Sequence, residues 1–402
     1  MPIVTVALSK PLPSGLAPEL RSRLFFVSPQ ILDFSLVEAA GRIEAVILTT
    51  ADDAAPDLAD KVRRVVAADI ARQKVFKSKV VWRSEAGGGS ADTLSSQGDL
   101  FESLVSAGVA YEAGEGQVGF GEPLIGLMHY FDRRITQIAL AMPNAQEFQY
   151  PTLLPTSVLD AFGYFGSFPH FAMFVTRLHN DIDVYESFRA DYAEHGRIPE
   201  TLFSHCGNHD YCLPPTMCYH TYHQLRDTTL PADRVVTAKG KSFRFEAKYY
   251  RGMERLWDFT IREIVFLGSR ESVVERRDAF MRSTFALMDE FGLCGFGEVA
   301  NDPFFVTQDT AGKILNQRMM ELKYELRLFV DSARTIAAGS FNFHENFFGE
   351  SFRIRHPDEA AITTGCVGIG LERLVYAFLC QYGLDKSKWP DSVRTGVAAN
   401  GF

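Results

Sequence analysis

Two groups of arginine, glutamate and aromatic residues in the C-terminal half of the chain have the types and spacing needed to bind a nucleotide. Arg244 and Glu246 stand two residues apart, Arg255 and Phe259 stand four apart, and Arg373 ends a Gly-x-Gly-x2-Arg sequence. Guanidinium groups stay charged and form two hydrogen bonds at once, so they suit the negative charge that develops when ATP activates a carboxylate. Either group alone is typical of a solvated strand or an ordinary turn. Together, and in this order, they predict an ATP site.

Strand geometry would assign each of these side chains a role. Residues two or four apart on a strand face the same side. Arg244 would then bridge the α-phosphate and the substrate carboxylate, while Glu246 accepts a hydrogen bond from the adenine amino group. On a returning strand, Phe259 would stack under the adenine with Arg373 above it, and Arg255 would reach the distal phosphates. The glycines before Arg373 would let the nucleotide approach the backbone. Arg244 and Arg373 are therefore the predicted catalytic residues.

The elements that must position these residues predict two domains joined by a linker. Residues 84–99 contain a Gly-Gly-Gly-Ser run and are predicted to be a flexible linker. Residues 100–402 are predicted to form one catalytic domain. Residues 1–83 are predicted to form a small N-terminal mixed α/β domain, with an amphipathic helix around 58–70 and strands at 3–8, 23–28, 45–50 and 79–82.

Strand-like segments dominate the predicted catalytic domain, and helices flank them. One helix is expected to begin at Pro123, because proline suits a first turn and apolar residues recur on one stripe behind it. Further helices are predicted near 271–291 and 371–379, and strands at 323–330 and 338–343. The pattern favours the α+β class, with an antiparallel sheet backed by helices, over alternating βαβ units. No Gly-x4-Gly-Lys-Ser/Thr pattern occurs, and no Rossmann Gly-x-Gly-x2-Gly follows a first strand, so the common parallel-sheet nucleotide folds are not indicated.

Composition narrows the class of protein. The 402 residues are 46% hydrophobic and 23% charged, as in ordinary globular proteins, and the net charge of −9 lowers the expectation of nucleic-acid binding. The chain has no apolar run of about eighteen residues and no signal-peptide pattern, so we expect a cytoplasmic protein without membrane association. The six cysteines are too few for a disulfide scaffold and are expected to be free thiols or metal ligands.

The order of the arginine motifs resembles motifs 2 and 3 of the class II aminoacyl-tRNA synthetases. The helix after Pro123 and a predicted proline-bearing strand at 148–154 resemble motif 1, which implies a homodimer. Over residues 100–402 the chain is similar to the amino acid:carrier protein ligases, which look like the catalytic core of the zinc-dependent seryl-tRNA synthetases of methanogens. This resemblance implies a class II synthetase-like antiparallel sheet flanked by helices.

The resemblance also implies one zinc ion per chain, in the amino-acid pocket. Its ligands would be Cys218, Glu263 and Cys366, and three protein ligands leave a fourth position open for the neutral amino group of the substrate. Two alternatives stay open: Cys218 as a buried structural cysteine, and Cys366 as a small residue that packs against a glycine turn. A rival zinc site would use His205, Cys206, His209 and Cys212.

Further substrate contacts follow from the same resemblance. Glu263 and Asn342 would bind the amino acid. ATP would arrive with Mg²⁺. Class II enzymes commonly carry a metal-binding glutamate at the start of this strand, where this chain has Ile336-Ala337-Ala338. Glu325 and Asp331 are therefore the candidate ligands for that ion. The predicted ATP-binding residues are Arg244, Glu246, Arg255, Leu256, Phe259, Ala337, Ala338, Gly339, Ser340 and Arg373.

The acceptor of the activated amino acid is predicted to be the phosphopantetheine thiol of a carrier protein rather than tRNA. The N-terminal domain shows no dense basic stripe to grip an RNA backbone, and a basic helix at 270–282 would suit an acidic carrier protein. Phe341 and Phe343 are expected to crowd the pocket, so glycine or alanine is the predicted amino acid. The alternatives are a zinc-dependent seryl-tRNA synthetase and a non-catalytic paralogue that binds an amino acid or adenylate.

Overall fold

The computed structural model describes residues 1–51, 57–71, 79–85, 100–248, 250–300, 322–358 and 360–399, with the backbone alone at residue 69. All but the first two residues of the predicted linker 84–99 lie outside these ranges. None of the helices within them has both the length and the apolar character needed to cross a bilayer.

The N-terminal residues form a three-stranded antiparallel sheet packed against two helices. Alternating side chains, such as Val46 and Leu48, point into the shared core, as strand geometry requires. The elements are β1 (Ile3–Pro13), α1 (Ala17–Leu24), β2 (Ile31–Ala39), β3 (Arg42–Thr50) and α2 (Leu58–Val65). The strands pair in the order β1-β3-β2.

One predicted element of this region is wrong. The pattern at 23–28 predicts a strand, but α1 ends at Leu24 and a turn follows. Leu16, Leu20 and Leu24 recur every four residues and are all buried, so a helical face forms there instead. β2 has no counterpart among the predicted strands. The strands predicted at 3–8 and 45–50 are confirmed by β1 and β3.

A large sheet of eight strands forms the centre of the remaining structure. Its strands are β4 (Val80–Arg83), β7 (Ala145–Phe148), β11 (Arg234–Phe243), β12 (Asp258–Gly268), β13 (Gly295–Val299), β14 (Lys323–Phe329), β15 (Thr335–Glu345) and β16 (Thr363–Gly370). They lie in the order β4-β13-β14-β15-β16-β12-β11-β7, and each pairing is antiparallel except that of β7 with β11. The predicted α+β class with a mainly antiparallel sheet is confirmed.

The strand β4 belongs to this large sheet and not to the N-terminal one. Its Trp82 lies opposite Gly297 of β13 and stacks on Phe285, with ring centroids 4.7 Å apart. The chain therefore reaches the large sheet before residue 84. The domain boundary at 83–84 stays a prediction.

Helices cover both faces of the large sheet. On one face, which we call the helix face, α4 (Leu124–Leu140), α9 (Arg270–Glu290) and α11 (Leu371–Tyr382) form the main core with Phe266. On the opposite face, which we call the site face, a second core includes Val265 and residues of three shorter helices. These helices are α5 (Thr156–Asp160), α8 (Cys218–Gln224) and α10 (Phe347–Phe352).

Smaller elements connect these layers. The proline-bearing segment 148–154 is not one strand as predicted, because β7 ends at Phe148. The helix predicted at Pro123 is confirmed, since α4 begins at the next residue. The remaining elements are α3 (Leu100–Ser106), β5 (Ala110–Gly114), β6 (Gln117–Phe120), β8 (Leu154–Pro155), α6 (Tyr164–Ser167), β9 (Phe174–Val175), α7 (Ile182–His195), β10 (Tyr211–Cys212) and α12 (Asp391–Ala398).

A buried ion pair joins α4 to β12. The Arg262 guanidinium donates to both carboxylate oxygens of Asp132 on α4, at 2.7 and 3.0 Å, and to Glu147 at 2.7 Å. Burial by itself raises the pKa of Asp132, but Arg262 and Lys239 hold that pKa below its ordinary value. The pair also sets the orientation of β12. With Arg262 on the helix face, strand alternation turns the next residue, Glu263, towards the site face.

We expect Asp132→Ala to lower the free energy of unfolding by about 3–5 kcal/mol, because it leaves the Arg262 charge buried beside an empty carboxylate position. Urea unfolding followed by circular dichroism would measure the loss. Asp60→Ala, which removes the partner of Arg63 from an exposed ion pair on α2, is the control and should change little. Equal small losses in both variants would contradict a structural role for the buried pair.

Candidate metal and nucleotide site

The structure brings Cys218, Glu263 and Cys366 together from three separate elements. Cys218 begins α8, Glu263 lies in the middle of β12, and Cys366 lies on β16. One potential ligand atom from each lies within 4.8 Å of the other two, and all three residues are buried. Across the described ranges, no other set of His, Cys, Asp or Glu side chains forms such a group. We call these three residues the triad.

Strand register explains how the triad assembles. Val265 pairs with Cys366 and Glu263 pairs with Gly368 across β12 and β16, and Cys366 pairs with Asn342 of β15. Paired residues face the same side, so Glu263, Cys366 and Asn342 share the site face. Gly368 allows close packing here, because a Cβ at this position would lie only 2.8 Å from the Ile261 side chain and 3.4 Å from a Glu263 carboxylate oxygen.

The buried triad binds protons tightly when no metal is present. Burial raises the pKa of Glu263 to about 7, although a 2.7 Å hydrogen bond from the Thr216 hydroxyl opposes this shift. The pKa of Cys218 is raised by burial, and that of Cys366 is raised well above its usual value by the hydrogen bond with Cys218 and by burial. A divalent cation would displace these protons. Two thiolates and one carboxylate form a donor set that suits zinc.

Two polar side chains of β15 surround the Cys366 sulfur. The Asn342 amide nitrogen lies 3.5 Å from it, and His344 Nε2 lies 3.7 Å from it. Asn342 Oδ1 is buried and has no hydrogen-bond partner. Burial lowers the pKa of His344 to about 3, so the imidazole is neutral. Neither His344 nor Thr216 was among the predicted site residues, although His344 stands two residues from Asn342 and Thr216 two residues from Cys218.

The predicted strand positions of the ATP-binding residues are partly wrong. β11 ends at Phe243, so Arg244 and Glu246 follow the strand, and Arg255 precedes β12. A turn leaves these side chains free of strict alternation, yet they still meet. Glu246 is buried and accepts a hydrogen bond from Arg255 at 3.0 Å. Arg244 lies over Phe259, with its guanidinium carbon 5.5 Å from the ring centre. The placement of an adenine between Phe259 and Arg373 stays a prediction.

Arg373 is held by backbone carbonyls. It donates to Glu254 O at 2.7 Å and to Ala337 O at 3.0 Å. Burial, together with the charge of Arg255, lowers its pKa to about 10. Within the described ranges Arg373 has no carboxylate in ion-pair contact. Buried cations that repel each other favour a bound anion, which is the property that a phosphate site needs.

Other predicted ATP-binding residues lie along β15 or in the turn before β12. Ala337, Ala338, Gly339 and Ser340 belong to β15, and Leu256 is buried just before β12. Ser340 lies opposite Gly368 on the site face. Ala338 contributes to the core of the helix face, so its side chain is structural and only its backbone can line a nucleotide.

Several alternative sites have other contacts in the structure. His205 hydrogen-bonds to Asp191 at 2.9 Å, and the buried Cys212 thiol points to Leu154 O. The rival zinc ligands therefore do not form a metal-binding group. Of the magnesium candidates, Glu325 contacts Lys323 and Arg327 at 3.2 and 3.3 Å, and Asp331 contacts Arg334 at 2.6 Å.

The expected crowding of the pocket by Phe341 and Phe343 is wrong. Both rings belong to the core of the helix face. Phe341 packs edge-on against Phe285 of α9, and Arg277 of the same helix lies over Phe343. Strand alternation is the reason, since Asn342 between them faces the triad. The argument for glycine or alanine therefore loses its support.

No family model matches the chain. The type-2 serine–tRNA ligase of Methanococcus aeolicus is 28% identical over 298 residues, which cover 71% of this chain and 56% of that protein. The corresponding enzyme of Methanothermobacter thermautotrophicus is 27% identical over 309 residues, covering 74% and 59%. The chain therefore spans less than two thirds of the length of these curated relatives.

Solved structures show the same fold at lower sequence identity. Methanopyrus kandleri SerRS, in a crystal structure with tRNASec of A. aeolicus, has a TM-score of 0.71 and 20% identity, over 99% of this chain and 77% of that one. The cytoplasmic serine–tRNA ligase of Naegleria fowleri in complex with AMP has a TM-score of 0.61 and 11% identity, over 85% and 70%.

These findings correct the predicted acceptor. The relatives are named as serine–tRNA ligases, one similar structure is a complex with tRNA, and none of these relatives is a carrier-protein enzyme. The prediction of transfer to a phosphopantetheine thiol, with tRNA excluded, is therefore contradicted. The chain is a homologue of the type-2 serine–tRNA ligases of methanogens and has the fold of the class II aminoacyl-tRNA synthetase core.

Proposed function

We propose that this chain activates serine with ATP as an aminoacyl adenylate and transfers it to tRNA. Arg244, Arg255 and Arg373 lie near one another, and we call them the arginine cluster. The observation that carries the proposal is the proximity of the triad to this cluster. Pro215 O accepts a hydrogen bond from Arg244 Nε at 3.2 Å, and the adjacent Thr216 hydroxyl donates to Glu263 at 2.7 Å. One short segment therefore touches both a candidate phosphate ligand and a candidate metal ligand.

The arginines suit the first half-reaction. A carboxylate oxygen of the amino acid forms a bond to the α-phosphorus of ATP, the bond to the bridging oxygen breaks, and pyrophosphate leaves. Arg244 and Arg373 would neutralise the charge that accumulates at the α-phosphate. Phe259 would contact the adenine ring, and Glu246 would accept a hydrogen bond from its amino group. Magnesium would accompany ATP.

The triad suits the recognition of the amino acid. Zinc held by Cys218, Glu263 and Cys366 would supply one open coordination position for a neutral amine. The buried Asn342 Oδ1, which lacks a hydrogen-bond partner, would accept a hydrogen bond from the bound amino acid. In the second half-reaction a terminal ribose hydroxyl of tRNA attacks the acyl carbon, AMP leaves with the bonding electrons, and the hydroxyl proton is released.

Helix α4 and the segment that follows it support assembly as a homodimer, by their resemblance to motif 1.

Removal of either triad thiol should abolish metal binding. We expect Cys218→Ser and Cys366→Ser to lose the zinc, about one per chain in the parent, and to lose serine-dependent exchange of pyrophosphate into ATP. ATP binding should persist, because the arginine cluster is untouched. Metal analysis and nucleotide titration would measure the two properties. Cys212→Ser, at a buried cysteine outside the triad, is the matched control. Full zinc content in both triad variants would refute the assignment.

Loss of a guanidinium fork should slow adenylate formation. Arg244→Lys and Arg373→Lys keep a positive charge but cannot form two parallel hydrogen bonds. We expect each to reduce ATP–pyrophosphate exchange about a hundredfold or more, equivalent to roughly 3 kcal/mol of transition-state stabilisation. Arg394→Lys, at an exposed position on α12, should retain the parent rate. A change of less than about threefold at both Arg244 and Arg373 would place the nucleotide elsewhere.

Charging of tRNA tests the acceptor and the amino acid together. Among the twenty amino acids, serine should support the fastest exchange, and the enzyme should attach labelled serine to tRNA through an ester that mild alkali cleaves. Cys366→Ser, with its triad broken, should do neither. Exchange with serine but no charging of tRNA from the source organism would overturn the acceptor and leave the activation intact. Exchange restricted to another amino acid would overturn the assignment of serine.

A further inference from the structure

His344 occupies an irregular position on β15. Phe343 pairs with Gly365 of β16, but Glu345 pairs with the next residue, Thr364, so His344 is the extra residue of a β-bulge. Glu345 has a positive φ of 52°, a conformation that non-glycine residues rarely adopt. Bulges redirect a side chain at the cost of a pairing, and they are common beside active sites. Here the bulge directs the imidazole to Cys366.

Both imidazole nitrogens have polar neighbours. Nε2 lies 3.7 Å from the Cys366 sulfur. Nδ1 lies 3.3 Å from the Tyr222 hydroxyl and 3.4 Å from the Thr364 hydroxyl. The ring stands edge-on to Phe348, with centroids 4.9 Å apart. The surrounding protein therefore limits rotation of the ring.

We propose that His344 is a positioning residue that donates a hydrogen bond from Nε2 to the sulfur of Cys366 and so orients this triad ligand. The proposal rests on the proposed metal-binding role of the triad. A cysteine that ligates a metal is a thiolate and has no proton to donate. The hydrogen between sulfur and imidazole must therefore belong to Nε2, and Nδ1 must be the acceptor. The Tyr222 and Thr364 hydroxyls can each donate to Nδ1, so the neighbours are consistent with this tautomer.

The hydrogen bonds around the two thiols are unequal. Cys366 has two potential donors, His344 Nε2 and the Asn342 amide at 3.5 Å. Cys218 has the Thr216 hydroxyl at 3.9 Å, and that hydroxyl is already directed to Glu263. Donors to a thiolate withdraw electron density from it and orient its lone pairs. His344 would therefore make Cys366 the better oriented and less electron-donating of the two sulfur ligands.

Cobalt-substituted protein provides a readout that does not depend on catalysis. In His344→Leu we expect zinc affinity, measured by competition with a chelator, to fall by about 10- to 100-fold. The thiolate-to-cobalt charge-transfer band should move to longer wavelength, because a sulfur that loses a hydrogen bond holds its electrons less tightly. In His344→Gln the amide nitrogen can take the place of Nε2, and it should restore most of both properties. ATP affinity should stay unchanged in each variant.

Controls separate this proposal from the proposed function and from general destabilisation. His205→Leu removes a similarly buried, hydrogen-bonded histidine away from the triad and should leave the cobalt spectrum unchanged. If His344→Leu does not fold, the conservative pair Tyr222→Phe and Thr364→Val should shift the band in the same direction by a smaller amount. An unchanged band and unchanged zinc affinity in these variants would overturn the proposal alone. A parent protein that binds neither zinc nor cobalt would overturn the metal site itself.

Discussion

The strict alternation of β12, held in register by the buried contact between Asp132 and Arg262, is the constraint on which the site depends. Arg262 and Glu263 are adjacent on β12 but face opposite sides of the sheet. The Arg262 guanidinium lies on the helix face and donates to two carboxylates, whereas the Glu263 carboxylate lies on the site face. A shift of β12 by one residue would exchange them. It would bury an arginine beside two cysteines and remove the candidate metal ligand.

Charge is distributed unevenly between the triad and the arginines. On one side, Glu263 and the two thiols are buried so deeply that their neutral forms are favoured. On the other, Arg373 is buried so deeply that its charged form is disfavoured relative to water. Both imbalances are of the kind that a ligand of opposite charge relieves, a cation at the triad and a phosphate at the arginines. Residues 215–218 connect the triad to the arginines. Pro215 O accepts a hydrogen bond from Arg244, the Thr216 hydroxyl donates to Glu263, and Cys218 is itself a triad member.

The contradicted prediction of a carrier-protein acceptor shows the limit of reasoning from composition. A net charge of −9 and the absence of a basic stripe led to the expectation that tRNA is not a partner, yet the relatives are serine–tRNA ligases. Net charge describes the whole surface, whereas nucleic-acid binding depends on local potential at one patch. The amino-acid prediction failed for a different reason. Phe341 and Phe343 flank Asn342 in sequence, but neighbours on a strand point to opposite faces, so they pack away from the pocket.

From the sequence alone, the arginine motifs predicted the fold class through their resemblance to the class II synthetases, and the resemblance to the zinc-dependent enzymes implied the three residues of the triad. The proline-started α4 and most strands of the large sheet also followed from local patterns. These features are carried by residue type and short-range periodicity, which a linear pattern records. The tertiary structure alone decided which side chains share a face, that β4 joins the large sheet, and that Arg244 lies over Phe259. It also decided the role that we propose for His344, because a β-bulge arises from the mismatch between two paired strands. Neither strand encodes that mismatch by itself.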